Sequence, residues 1–298
     1  MENSKKSIVS GNLFDKVYSG ENYLIKDNKQ NNVEKIAVLY FSSSGIYFPN
    51  TEEMFSKAFV ENDKYEFLDS ELKIKADKEI YIRDIAKQFY ITGISQMCPD
   101  MDSLFQLLKK ETEGFKVITV GSSAGGYAAT LIGYLLNAEL IYCFSGYFNL
   151  EIVDRETWFY VEKYKDDYSK NKYYKLKEYI KSNKTKLIYF YPKRLKDDVM
   201  QAEYLRKYKN EKMVIIGMNS GLHGVCIPKC VVKKLFESNY EVAFQKIKEY
   251  LDASKGKNTE VGILKYFFEK SGFIMLIKKK CIQNSSELCK KIYKIKRM

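Results

Sequence analysis

Short apolar runs closed by turn residues recur along this chain, and their length is that of buried strands rather than helices. Residues 36–41 (IAVLYF) form an unbroken run ending in Ser42-Ser43-Ser44-Gly45. Residues 79–83, 116–120, 140–144, 187–191 and 213–217 repeat the pattern, and Tyr23-Leu24-Ile25 suggests an edge strand. Between them lie segments with helical spacing. Thr51 followed by Glu52 and Glu53 predicts a capped helix to about residue 60, and Pro99-Asp100-Met101-Asp102 opens another. A third helix is expected over 127–136, one near 201–207, and a long one over 229–250. Strand, helix and strand within residues 116–144 make a βαβ unit, which predicts a parallel sheet covered by helices.

Residues 151–184 interrupt this alternation. They are rich in Tyr, Lys, Asp and Glu, look helical but poorly amphipathic, and read as a small cap inserted between sheet strands. The composition changes again after residue 254, so the expected organisation is an α/β domain over 1–254 and a tail over 255–298.

Charge sharpens that boundary. The chain carries a net +12, which on its own points to an anionic partner. From residue 255 onward, twelve Lys/Arg face three Asp/Glu, so +9 of the total belongs to the tail and only +3 to the rest. No nucleic-acid-binding motif accompanies the basic residues. Within the tail, Asn284 and Glu287 resemble a capping box before Leu288, Ile292 and Ile295, with lysines interleaved. Such a segment suits peripheral contact with an anionic membrane or an acidic polymer, and equally a helix packed on the domain with a solvated basic face. No apolar run of spanning length and no secretory leader pattern is present. Together with six scattered cysteines lacking a CxxC pair, this gives a cytoplasmic expectation, membrane-peripheral if the tail binds lipid.

Gly121-Ser122-Ser123-Ala124-Gly125 satisfies G-x-S-x-G between a predicted strand and a predicted helix. A nucleophile on so sharp a turn needs small residues two positions either side, so that strand and helix can approach. The alternative is a small-residue turn that only packs helix on sheet. A phosphate-binding loop is disfavoured because no Lys follows the glycines. A serine hydroxyl needs a base, and the chain contains one histidine, His223, in the glycine-flanked segment after the last predicted strand. The acid that orients an imidazole would be Asp198, or else Asp197, in the loop after the preceding strand; both also suit the first turn of a helix. An oxyanion hole would take the N–H of Ala124 and one from the 42–45 loop, with Ser43 favoured and a shift by one residue open.

The elbow, followed in the chain by acid and then histidine, resembles the α/β-hydrolase superfamily over about residues 33–250. Within it, the chain is similar to bacterial members associated with surface polysaccharides, some of which transfer an acetyl group from acetyl-CoA to a capsule sugar. The resemblance implies an α/β-hydrolase-like fold and a serine-dependent acyl-transfer enzyme, an esterase acting on a small or saccharide-linked acyl ester. No cofactor is expected, with acetyl-CoA as co-substrate if the enzyme is instead an O-acetyltransferase. A non-catalytic protein that keeps the fold and binds through its tail is the third reading. The chain lacks the His-Gly-Gly motif before the elbow, a departure from the lipase/esterase pattern.

Four further residues are candidates for substrate contact: Ser44 and Ser122 beside the elbow and its facing loop, Arg83 after a predicted strand, and Trp158 in the cap. Arg83 with Asp84 could equally be a surface pair, and Trp158 could equally supply the cap's own core. His223, Cys226 and Cys230 have a spacing that could serve zinc, but no fourth ligand is evident and no metal is expected. Oligomeric state is not set by the sequence.

Overall fold

A computed structural model describes residues 9–28, 34–182, 184–253 and 263. Seven strands form one sheet: β1 (Tyr23–Asp27), β2 (Ile36–Phe41), β3 (Lys78–Ile82), β4 (Lys116–Ser122), β5 (Leu140–Phe144), β6 (Lys186–Pro192) and β7 (Met213–Met218). Their order is β1-β3-β2-β4-β5-β6-β7, and all neighbours are parallel except the edge strand β1. The helices are α1 (Asn12–Tyr18), α2 (Glu52–Ser56), α3 (Met101–Glu111), α4 (Ala124–Leu135), α5 (Arg155–Trp158), α6 (Tyr168–Asn171), α7 (Lys177–Ser182), α8 (Lys196–Arg206), α9 (Lys229–Glu237) and α10 (Tyr240–Ala253).

The central strands are apolar throughout because both faces are covered. On β2, Leu39 and Phe41 enter a core with α3, α4, α8 and the cap, whereas Val38 and Tyr40 face the opposite core under α9 and α10. Helix α4 is buried almost all round, which explains why its sequence shows little polar face. Among the described residues, no helix is long and apolar enough to cross a membrane.

Three expectations need adjustment. The helix over 51–60 is only five residues of α-helix, capped by Thr51, before it widens into a π-helical turn at Lys57–Glu61. The helix over 229–250 is two, because Ser238 is extended and Asn239 Oδ1 accepts the Glu241 N–H at 2.9 Å, starting α10 afresh. Helix α8 starts at Lys196, which places Asp197 and Asp198 in its first turn rather than ahead of it.

The interruption at 151–184 is a set of short helices, α5 to α7, with one 3₁₀ turn ahead of α5 and another between α5 and α6. Its apolar residues Val161, Tyr174, Leu176 and Ile180 join the core that contains α4. Gln201 on α8 fastens its entrance: Oε1 accepts from Phe148 and Asn149 N–H, and Nε2 donates to the Asn149 carbonyl. Tyr164 Oη donates to Gln88 Oε1 and Asn50 Nδ2 to Tyr160 Oη, tying the insertion to the loops after β3 and β2. The expected boundary at 254/255 and the basic amphipathic tail lie outside the described residues. Only Ile263 of that segment is described, and it is buried in the core under α9 and α10.

Candidate active site

Every parallel strand points its carboxyl end to the same edge of the sheet, where the loops of an open α/β fold gather ligand-contacting residues. The turn from β4 into α4 shows how the sequence builds that edge. Ser123 stands at φ 55°, ψ −124°, a left-handed conformation that a non-glycine residue adopts at a cost of about 1–3 kcal/mol. Its N–H is held by the Phe144 carbonyl at 2.9 Å, so β5 supports the strained residue. The flanking glycines are sterically required. A Cβ on Gly121 would sit 2.1 Å from the Gly125 carbonyl oxygen, and one on Gly125 would sit 2.2 Å from that of Phe41 and 2.9 Å from that of Ser42. The elbow is thereby pressed against the end of β2.

His223 reaches the turn from the loop after β7. Its Nε2 lies 2.8 Å from Ser123 Oγ and its Nδ1 lies 2.9 Å from Asp198 Oδ2. Asp198 is buried, while the imidazole is 36% exposed, so the relay runs from an interior carboxylate to an accessible hydroxyl. Two contacts shape the histidine loop: Ser145 Oγ donates to the Gly224 carbonyl at 2.9 Å, and the Tyr147 ring lies 5.8 Å from the imidazole. Asp197, the alternative acid, turns instead toward Asp154, and its carboxyl is pushed up by burial and then by that facing carboxylate.

Ala124 is the first residue of α4, and its N–H is among those a helix leaves without an internal acceptor. Ser43 requires a correction. Its N–H donates to Glu66 Oε2 at 2.8 Å and its hydroxyl to Glu66 Oε1 at 2.5 Å, so that amide is already engaged. Ser44, next in the chain, opens a 3₁₀ turn over Ser44–Ile46. Ser122 is buried at the end of β4.

Arg83 also requires correction as a substrate contact. It is 4% exposed, with Nε on Asn22 Oδ1 and Nη1 on Asp63 and the Lys64 carbonyl. The guanidinium lies 5.0 Å from the Phe59 ring and 4.2 Å from the Tyr65 ring. Nor does it pair with Asp84, whose carboxylate accepts the N–H groups of Ala86, Gln88 and Tyr90. Trp158 packs edge-on to Tyr174 at 5.8 Å against the core containing the cap. As for the zinc spacing, both ring nitrogens of His223 are engaged, and no cluster of three His, Cys, Asp or Glu able to hold a metal occurs among the described residues.

Sequence reading overlooked the group that commits Ser43, Glu66, and also a buried pair near the loop after β2. Lys87 Nζ lies over the Tyr47 ring and donates to the Tyr47 carbonyl and Asn50 Oδ1; burial lowers its pKa to about 8. Burial likewise raises Asp84 to about 6, against the pull of its backbone donors.

No protein-family model matches the sequence, and no curated protein matches it. Solved structures do align with it. A capsule O-acetyltransferase of Neisseria meningitidis serogroup A aligns at 15% identity and TM-score 0.45, over 78% of this chain and 89% of that one. Carboxyl esterase 2 of the fungus Tuber melanosporum aligns at 12% and 0.44, over 76% and 80%. A Staphylococcus aureus protein of unknown function aligns at 14% and 0.42, over 78% and 93%. Mostly parallel strands, the strained elbow after β4 and the chain order Ser123, Asp198, His223 make this an α/β-hydrolase fold.

Proposed function

We propose that the protein is a serine-dependent acyl-transfer enzyme that hydrolyses a small or saccharide-linked acyl ester. The observation that carries this reading is the hydrogen-bonded relay from Ser123 through the chain's single histidine to buried Asp198. In such a relay the imidazole takes the serine proton as Oγ attacks the ester carbonyl, and the carboxylate holds the tautomer with Nδ1 protonated and steadies the imidazolium. Collapse of the tetrahedral intermediate expels the alcohol, which receives that proton from Nε2. Water then attacks the acyl-serine by the same route in reverse order, releasing the acid and restoring Ser123. The N–H of Ala124, at the positive end of α4, supports one half of an oxyanion hole.

A sugar hydroxyl in place of that water would make the enzyme an O-acyltransferase with the same residues, acetyl-CoA being the donor in the capsule-type variant of this reading. Two measurements test these statements together. A fluorophosphonate should label Ser123 in the wild type but not in Ser123→Ala, and only slowly in His223→Ala, while p-nitrophenyl acetate is turned over. If a folded sample neither labels nor turns over, the enzyme reading fails and the fold serves binding alone. Acyl release that accelerates only when a saccharide acceptor is added would replace hydrolysis by transfer.

A further inference from the structure

The loop after β2 contains five consecutive residues whose N–H groups could meet an oxyanion beside Ser123, and four of these groups are already taken. Ser42 N–H donates to the Ile82 carbonyl at 2.9 Å, and Ser43 N–H to Glu66 Oε2 at 2.8 Å. Gly45 N–H donates to Ser43 Oγ at 3.1 Å and Ile46 N–H to the Ser43 carbonyl at 3.2 Å. Of these five, Ser44 N–H alone has no acceptor among the described residues. Glu66 is the centre of this arrangement. It accepts both donors of Ser43, and its own N–H donates to Ser42 Oγ at 3.2 Å. Tyr90 Oη closes the other side by donating to the Ser42 carbonyl at 2.7 Å. Because a Cβ on Gly125 would strike the Phe41 and Ser42 carbonyls, the fixed part of this loop is in contact with the elbow.

We propose that Glu66 is a positioning residue for the oxyanion hole: by engaging the Ser43 amide and hydroxyl it fixes the loop and leaves Ser44 N–H as the second donor beside Ala124 N–H. The inference rests on the acyl-transfer reading. It gives the carboxylate a role through the backbone and no contact with substrate. Burial raises the Glu66 carboxyl above the ordinary range, and the Ser43 hydrogen bonds hold it down.

Substitutions at two positions test it by different routes. Ser44→Pro removes the N–H together with the hydroxyl, and Ser44→Ala, which removes the hydroxyl alone and should keep kcat near wild type, is its control. Ser44 is the first residue of a 3₁₀ turn, where proline fits, and Ser43 at φ −77°, ψ 166° is in the region a residue before proline prefers. With p-nitrophenyl acetate as probe, kcat is expected to fall by about 10²–10³-fold, the loss typical of one oxyanion donor. KM and the melting temperature should stay near wild type. Glu66→Ala should lower kcat by at least 10-fold at unchanged KM. Glu66→Gln should recover most of that loss, since its carbonyl can accept the Ser43 N–H while its amide donates to Ser43 Oγ. Full kcat in Ser44→Pro, or a Glu66→Ala loss confined to KM or to melting temperature, overturns the inference while leaving an active wild type in place. A wild type inert to both ester and fluorophosphonate removes the acyl-transfer reading, and this inference with it.

Discussion

Replacing Gly125 with alanine tests whether the contact between the elbow and β2 is as tight as the structure shows. The added Cβ would lie 2.2 Å from the Phe41 carbonyl oxygen, whereas ordinary contact begins at 3.4 Å, so helix and strand must part by about 1.2 Å. The opposing atom is backbone in a central strand and cannot swing aside. Overpacking of this kind costs about 1–3 kcal/mol. For a domain of this size, that lowers the melting temperature by roughly 2–4 °C per kcal/mol. The effect on chemistry should be larger than the effect on stability. Parting β2 from α4 separates the 42–46 loop from Ser123, and a displacement of about 1 Å at a reacting centre costs about 10²-fold in rate. Gly125→Ala should therefore melt several degrees low and react with a fluorophosphonate about two orders of magnitude more slowly at 25 °C. Gly221→Ala is the control. It changes a glycine in the histidine loop with nothing within 4 Å of its Cβ position, and both readouts should stay at wild type. If Gly125→Ala labels at the wild-type rate, the close approach is not what sets the site's geometry.

Other outcomes follow from individual side chains. Asp198→Asn should cut ester turnover by about 10³–10⁴-fold through loss of the imidazole's tautomeric control, while Asp197→Asn stays within a few-fold of wild type; equal losses would refute the assignment. Lys87, lowered from 10.5 to about 8 by burial, holds fewer protons in the folded than in the unfolded chain between those pH values, so its contribution to unfolding free energy rises with pH across that window. The full change is about 3 kcal/mol at 1.36 kcal/mol per pH unit. Lys87→Met should lose this rise, as read by urea unfolding at pH 7.5 and 9.5, and matching pH slopes in the two proteins would contradict it. Arg83→Met leaves buried Asn22 Oδ1 without its donor and should cost about 1–3 kcal/mol, with Arg83→Lys failing to restore it because one ammonium cannot span Asn22, Asp63 and the Lys64 carbonyl. An unfolding midpoint equal to wild type in Arg83→Met would show that the group is dispensable.

The legibility of the fold in the sequence tracks where regular periodicity holds. Buried strands such as 36–41 and 140–144 announce themselves because both faces need apolar residues, and turn residues end them. The break between α9 and α10 is invisible for the opposite reason: it uses Ser238 and Asn239, which an amphipathic pattern tolerates without interruption. At the site, Ser123 is marked by glycines and His223 by being alone of its kind. Asp198 is set apart from Asp197 by the true start of α8, at Lys196 rather than near residue 201, which buries one aspartate toward the imidazole and directs the other to Asp154. Arg83 reads as an accessible cation after a strand because nothing in the pattern brings its covering rings to it: Phe59 sits where the expected helix widens into a π-helical turn, and Tyr65 comes from the irregular chain after it. Glu66 was beyond reach for the same cause. It lies in an irregular segment, and its partners are backbone and hydroxyl groups 23 residues earlier.

That the relay uses the chain's single histidine has a practical consequence for spectroscopy. A sample labelled with ¹⁵N in histidine alone yields one imidazole spin system, without overlap and without any need for assignment by mutation. Its two ring nitrogens sit between different partners, a hydroxyl on one side and a carboxylate on the other, so their chemical shifts report separately on the nucleophile and on the acid. The protein therefore carries a native reporter at the centre of its proposed chemistry, able to follow protonation and acylation in the unmodified chain.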